Sequence, residues 1–287
     1  VCELCVQFFD EKWVTGTGGS ICIKHGNRIY MTPSGVQKER IQPDDLFVLD
    51  KSGSILALPV HKPGCPPPKL SDCAPLFLHA FVQRNAGAVL HSHSFACNIA
   101  TVLFEGQNAF RISHQEMIKG IVGHGFFDEL CVPIIENTAW EHELTNTLGE
   151  CIAANPKTVA VLVRRHGMYV WGTTWQEAKR HAECLHYLFE IAHKYHTMGL
   201  SFNGPISHVN ASNSLAITNK NENDIIRPFP IAPVHIPTSP ARLNSTDIPF
   251  KKKRSRSNSD GWAGWRPDHD VVIFDIEGTT TPISFVK

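Results

Sequence analysis

The chain has 287 residues, 42% of them hydrophobic, and its 27 Lys plus Arg are balanced by 27 Asp plus Glu. This suits one domain with a sizeable core and part of a second, and excludes a wholly disordered chain. The charge balance gives no electrostatic case for a nucleic-acid or membrane-surface partner. Charged, polar or Gly residues interrupt every apolar run before the roughly 18 residues that a transmembrane helix needs. Nine cysteines form an odd set without repeated spacing, and no signal-peptide pattern is visible, so a reduced cytoplasmic protein is expected.

Leu4, Cys5, Phe8 and Phe9 recur at helical spacing from the terminus, so the chain is expected to start inside a helix and to lack a few residues before Val1. Ser20 to Lys24 and Arg28 to Thr32, joined by His25-Gly26-Asn27, read as a hairpin followed by a Pro33-Ser34-Gly35 turn. A turn at Asp50 to Gly53, a strand in SILALPV and a Pro-rich loop from Lys62 to Lys69 come next. CAPLFLHAFVQRN reads as a helix with Pro75 near its start, AGAVLHSHS as a strand and FACNIATVLFE as a helix. VPIIEN reads as a short strand, EHELTNTLGECIAAN as a helix, and the Val-rich TVAVLVRRHG as a buried strand. Thr174 and Glu177 fit a capping box opening a helix to about Tyr195, with Ala178, Ala182, Leu185, Phe189 and Ala192 on its apolar face. Helices mixed with hairpin-linked strands indicate α/β or α+β layers around one sheet.

The 16 histidines are the unusual entry in the composition. Side chains alternate along a strand, so His91 and His93 project from one face and can share a metal ion. His166 follows the second apolar run, where it could meet that pair and leave open coordination positions, as in catalytic zinc sites. The same pattern also fits ordinary histidines at strand ends.

Five segments in order, WVTGTGG, PSGVQKERIQPDD, GAVLHSHS, HQEMIKGI and VLVRRHGMYVWG, closely resemble the methylthioribulose-1-phosphate dehydratases of the class II aldolase/adducin family. The likeness spans roughly residues 1 to 200. It implies a single αβα-layered domain over residues 1–201 with a central, mainly antiparallel sheet. It also implies one zinc ion per subunit on His91, His93 and His166, with Glu116 as the acid/base. The implied substrate is a sugar phosphate whose ketone adjoins a hydroxyl-bearing carbon. Glu116 removes the proton from that carbon, the next hydroxyl leaves as water, and the enol becomes a diketone. Cys73 corresponds to a substrate-contacting cysteine, where sugar-phosphate aldolases of the family carry a catalytic Glu. Backbone amides of Thr17, Gly18, Gly19, Ser34 and Gly35, with the Thr17 and Ser34 hydroxyls, are candidates to hold the phosphate. A homo-oligomer, commonly a tetramer with sites near subunit contacts, is the family's assembly.

From 202 to 268 Asn, Ser and Pro dominate and apolar periodicity disappears, so a disordered linker is expected, with the basic run at 251–256 as a solvated part of it. VVIFDIEGTTTPISFVK resembles the start of haloacid-dehalogenase-type enolase-phosphatases, with Asp275 as the phosphoryl acceptor, Glu277 as the neighbouring acid and magnesium as the ion of a whole domain. The sequence ends twelve residues after Asp275, so residues 269–287 are expected to be a truncated domain start without phosphatase activity and without magnesium. Two alternatives to the dehydratase stay open: a class II sugar-phosphate aldolase, and a catalytically silent adducin-like interaction module.

Overall fold

The computed structural model describes residues 1–61, 63–64 and 66–205. Helix α1 (Cys2–Asp10) buries Leu4, Cys5 and Phe8, one stripe of a helical repeat. Strands β1 (Ser20–His25) and β2 (Arg28–Met31) form the expected hairpin, turned at Gly26 with φ of 58°. Short strands β3 (Pro33–Ser34), β4 (Phe47–Leu49), β5 (Ile55–Ala57) and β6 (Lys69–Leu70) follow. Helix α2 (Ala74–Arg84) carries Pro75 in its first turn, where no amide hydrogen bond is lost, and stops at Asn85 in the left-handed region.

Strand β7 (Ala88–Ser92) is buried throughout and leads into α3 (Phe95–Leu103), whose first turn is capped by the Ser94 hydroxyl accepting from the Cys97 amide. Strands β8 (Ala109–Ile112) and β9 (Leu130–Ile135), helix α4 (Thr145–Ala154), and strands β10 (Ala160–Val163) and β11 (Gly167–Gly172) complete the sheet. Helix α5 (Trp175–Thr197) closes the layer. Its Thr174 hydroxyl accepts from the Glu177 amide, and the Glu177 carboxylate accepts from the Thr173 amide and hydroxyl. The predicted cap therefore forms, with the return bond one residue earlier than a capping box places it.

Nine strands run in the order β5-β4-β2-β1-β7-β11-β10-β9-β8, and β3 pairs with β6 in a separate ribbon. Every described pair is antiparallel except β9 with β10. Period-two alternation along β7 and β11 sorts their side chains onto two cores. Leu90, Met168 and Val170 pack with α1, α3 and α5, whereas Val89, Tyr169 and Trp171 pack with α2 and α4. The result is an αβα layer structure around a mainly antiparallel sheet, as expected.

Three local readings differ from the structure. Strands β8 and β11 were not separable in the sequence; β11 is buried at all six positions and so shows no alternation. The SILALPV strand is only Ile55–Ala57 and fully exposed, an edge strand with little apolar contact to extend it. Residues 164–166 form the β10–β11 turn, so His166 sits on a hairpin turn and not at a strand end. Phe202 still packs on Phe104 at 5.7 Å. Most of the expected 202–268 linker, and Asp275 and Glu277 of the 269–287 segment, lie outside the described residues. Among the described residues no helix is long and apolar enough to cross a membrane.

Candidate metal centre

His91 is the fourth residue of β7, at the centre of the sheet, where β1 and β11 flank it on either side. His93 lies one residue beyond the strand, its amide donating to the Trp13 carbonyl at 2.8 Å. His166 is delivered by the β10–β11 turn, in which Arg165 adopts the left-handed φ of 52°. The three rings converge: His93 Nε2 lies 2.7 Å from His91 Nε2 and 2.9 Å from His166 Nε2.

A fourth donor, unanticipated from the sequence, completes the cluster. Glu141 Oε1 lies 2.8 Å from His91 Nε2, and donor atoms of His91, His93, His166 and Glu141 all fall within 4.8 Å of one another. Glu141 Oε1 also accepts from the Tyr169 hydroxyl at 2.5 Å and from Cys73 Sγ at 3.1 Å. Tyr169 is cross-strand partner to His91, and its ring stacks on that imidazole at 4.1 Å.

The tautomers follow from the outer partners. Nδ1 of His91 faces the Met168 carbonyl at 3.2 Å, and Nδ1 of His166 faces Asn137 Oδ1 at 3.2 Å. Those oxygens accept, so each neutral ring carries its proton on Nδ1 and turns a bare Nε2 inward. Bare nitrogens and a carboxylate oxygen at hydrogen-bond distance repel unless positive charge lies among them. One proton on His91 satisfies one contact; a single divalent cation would serve all four donor atoms. Burial, reinforced by His91 and His166, pushes His93 down to about 3, and burial with His91 pushes His166 down to about 4. Burial opposes ionisation of Glu141, but His91, with the Tyr169 and Cys73 donors, holds its carboxyl well below the usual range. Neutral imidazoles with an ionised carboxylate suit zinc or a similar divalent ion.

The Gly-rich loop lies against this cluster. A Cβ on Gly18 would fall 2.5 Å from His93 Nδ1, and one on Gly19, whose φ is 70°, 2.8 Å from the His91 carbonyl oxygen. Lys38 is 1% exposed, and its ammonium donates to the Thr17 carbonyl at 2.9 Å and the Val36 carbonyl at 3.1 Å. It thereby ties the Thr17-Gly18-Gly19 loop to the segment carrying Ser34 and Gly35, placing a buried cation beside both candidate phosphate loops. Burial lowers its pKa, partly offset by Cys5, Cys73 and Glu141.

Residues 1–193 match the family described as Class II Aldolase and Adducin N-terminal domain. This chain belongs to the class II aldolase and adducin family. Its matched region contains all four clustered donors. The chain is 46% identical to a Populus trichocarpa protein named "Probable bifunctional methylthioribulose-1-phosphate dehydratase/enolase-phosphatase", over 100% of this chain and 49% of that protein. The similarly named Oryza sativa subsp. indica protein is 46% identical, with 100% and 50% covered. The chain thus spans about half the length of the curated relatives it matches. Among solved structures, an L-fuculose 1-phosphate aldolase superposes with a TM-score of 0.56 at 19% identity, covering 71% of this chain and 88% of that one, and carries the same class II aldolase fold.

Glu116 is not among the clustered donors. It opens a short 3-10 turn, and its carboxylate is 71% exposed and accepts from Lys119 at 2.8 Å. Cys73, at the N-cap of α2, is buried; burial and the nearby Glu141 push its thiol well up, so it stays protonated and donates to that carboxylate. Glu141 and Lys38 had no readable signal in the sequence. For Tyr169 one existed: a buried tyrosine on a strand opposite HxH needs a polar partner for its hydroxyl.

Proposed function

We propose that this chain catalyses the dehydration of 5-methylthioribulose 1-phosphate to 5-methylthio-2,3-dioxopentyl phosphate, the lyase step of methionine salvage. The observation that carries the reading is the meeting of three inward-facing imidazole Nε2 atoms within the matched family domain. The names of the 46% identical relatives support the substrate.

His91, His93 and His166 would hold one zinc ion per subunit, supplying Lewis acidity toward the substrate's ketone and neighbouring hydroxyl oxygens. Amides of the Thr17–Gly19 loop and of Ser34 and Gly35, backed by the Lys38 charge, would orient the phosphate. Glu116 would take the proton from the hydroxyl-bearing carbon beside the ketone, the hydroxyl of the next carbon would leave as water, and Glu116 would return a proton as the enol becomes the ketone. Its exposure and its absence from the donor cluster support a reading in which Glu116 serves the site of a neighbouring subunit of a homotetramer. The exposed Ile55, Leu56, Leu58 and Val60 add apolar surface suited to such an assembly. All eight described cysteines are free, consistent with a cytoplasmic location.

Cys73 at the position of the aldolase Glu favours the dehydratase over an aldolase. Incubation with 5-methylthioribulose 1-phosphate decides between them: the diketone phosphate is expected, and an aldehyde fragment would establish the aldolase instead. Zinc analysis separates both from a silent adducin-like module, for which well under one zinc per chain is expected.

A further inference from the structure

We propose that residues 200–204, which leave α5 and double back onto Ser113, form a strap that fixes the turn carrying Glu116, with Phe202, Ser113 and His114 as positioning residues for the proton transfer. The inference rests on the reading of Glu116 as the acid/base.

Three observations carry it. First, Glu116 is placed by its backbone and not by its side chain, since the carboxylate and its partner Lys119 are both exposed. Second, that backbone is clamped by α5 at its C-terminal end. The Gly120 carbonyl accepts from Arg180 Nε at 3.1 Å, a Cβ on Gly120 would collide with Cys184 Sγ, and Ile118 is fully buried. Third, the N-terminal end is clamped by the strap. Gly199, at φ of 67°, reverses the chain after α5, the Phe202 ring packs on Phe104, and the Phe202 carbonyl accepts from the Ser113 amide at 3.4 Å. Gly204, at φ of 74°, donates its amide to Ser113 Oγ at 2.8 Å. The Ser201 hydroxyl stitches the strap's own bend, donating to the Asn203 carbonyl at 2.8 Å and accepting from the Asn203 amide at 3.2 Å.

Ser113 joins the strap to the turn. It is buried, and its hydroxyl also meets His114 Nδ1 at 3.0 Å. His114 takes the left-handed φ of 55°, which a residue bearing a Cβ keeps where its surroundings impose it. Its ring is held edge-on by Phe126 at 5.8 Å and Phe127 at 5.5 Å. This left-handed residue sets the direction in which Gln115 and Glu116 leave β8. Releasing Phe202, or removing the Ser113 hydroxyl, frees that direction while the Gly120 end stays fixed, so the carboxylate drifts. Proton transfer needs it within hydrogen-bond reach, and a misplacement of about 1 Å slows the step without touching the three clustered histidines.

The test uses the full 287-residue chain with Ser113→Ala, Phe202→Ala and the conservative Phe202→Leu. Hydrogen exchange of the amides from 114 to 121 comes first, because it needs no turnover: both alanine variants should exchange there several-fold faster than the wild type, with the amides of β7 and β11 unchanged. Dehydration of 5-methylthioribulose 1-phosphate comes second. Both alanine variants should lose kcat on the order of tenfold while KM and zinc affinity stay within about twofold, and Phe202→Leu should recover most of the loss. In a Glu116→Gln background the same two substitutions should cost nothing further, since the strap acts through that carboxylate. Unchanged exchange would overturn the strap whatever the kinetics show. Unchanged kcat, or an equal loss with and without Glu116, would reduce residues 200–204 to a cover for the edge of β8. Full activity in Glu116→Gln alone would remove the acid/base reading and the strap's catalytic role with it, leaving the exchange result to decide whether the strap holds the turn.

Discussion

Arg164→Lys tests whether the turn that delivers His166 is held from below by one side chain. Arg164 is 8% exposed. Its guanidinium donates to the Thr101 carbonyl at 3.0 Å, the Phe104 carbonyl at 3.4 Å and the Gln107 carbonyl at 2.7 Å, and to Glu136 at 2.7 Å. Thr101 and Phe104 belong to the C-terminal end of α3, whose last carbonyls lack helical partners. The cation therefore caps α3 and complements its dipole. The Arg165 amide donating to Thr101 Oγ1 at 2.9 Å fastens the turn to the same helix end. A lysine keeps the charge but has no planar fork, so it can serve one or two of these oxygens. Glu136 is 75% exposed and is left out of the sum. Losing one to two charge-assisted bonds at about 1.5–3 kcal/mol each gives a destabilisation of about 3 kcal/mol. For a domain of this size that lowers Tm by about 6–12 °C. Urea unfolding and calorimetry of the apo protein measure it, and zinc titration should show weaker binding as His166 loses its support. A variant within about 1 kcal/mol of the wild type, with unchanged zinc affinity, would show that the backbone turn holds itself.

Other expectations follow from the same packing. His186 is fully buried between Trp13, on which it stacks at 3.9 Å, and the Ser92 hydroxyl, and burial pushes its pKa from 6.5 down to about 4. The folded state holds it neutral, so its contribution is complete above about pH 6.5 and is lost as pH falls toward 4. That loss is worth about 3 kcal/mol, and it should appear as a shallower acid slope of stability in His186→Gln than in the wild type; equal slopes would refute it. Gly18→Ala places a methyl 2.5 Å from His93 Nδ1. Zinc affinity should therefore drop on the order of tenfold, measured by competition with a chelator, and an unchanged affinity would show that the loop yields freely. Glu116→Gln should fold and keep zinc but lose turnover by a factor on the order of 10² or more. Co-refolding it with His93→Ala should restore about a quarter of wild-type activity if Glu116 serves a neighbouring subunit, whereas no recovery would place the carboxylate in its own subunit's site.

Legibility in the sequence followed how local the cause was. Helix α5 could be read because Thr174, Glu177 and the Ala178–Ala192 stripe are all set by helical spacing, and the β1–β2 hairpin because Gly26 sits between two short apolar runs. The histidine pair was legible for the same reason. His166 was legible as a candidate, but its position was not, since β10, the turn and β11 form one apolar run broken only by Arg164, Arg165 and His166. What stayed hidden was non-local. Glu141 stands in an exposed, charged stretch where a carboxylate ordinarily faces solvent; only the pairing of β11 with β7 sets Tyr169 beside His91 and so gives that carboxylate two anchors. Lys38 is hidden by the opposite prior, that lysine seldom buries; it does so because the Thr17 and Val36 carbonyls, 19 residues apart, converge on it. The residues that close the site are therefore those whose chemistry contradicts their local setting, and the sheet order is what reconciles the two.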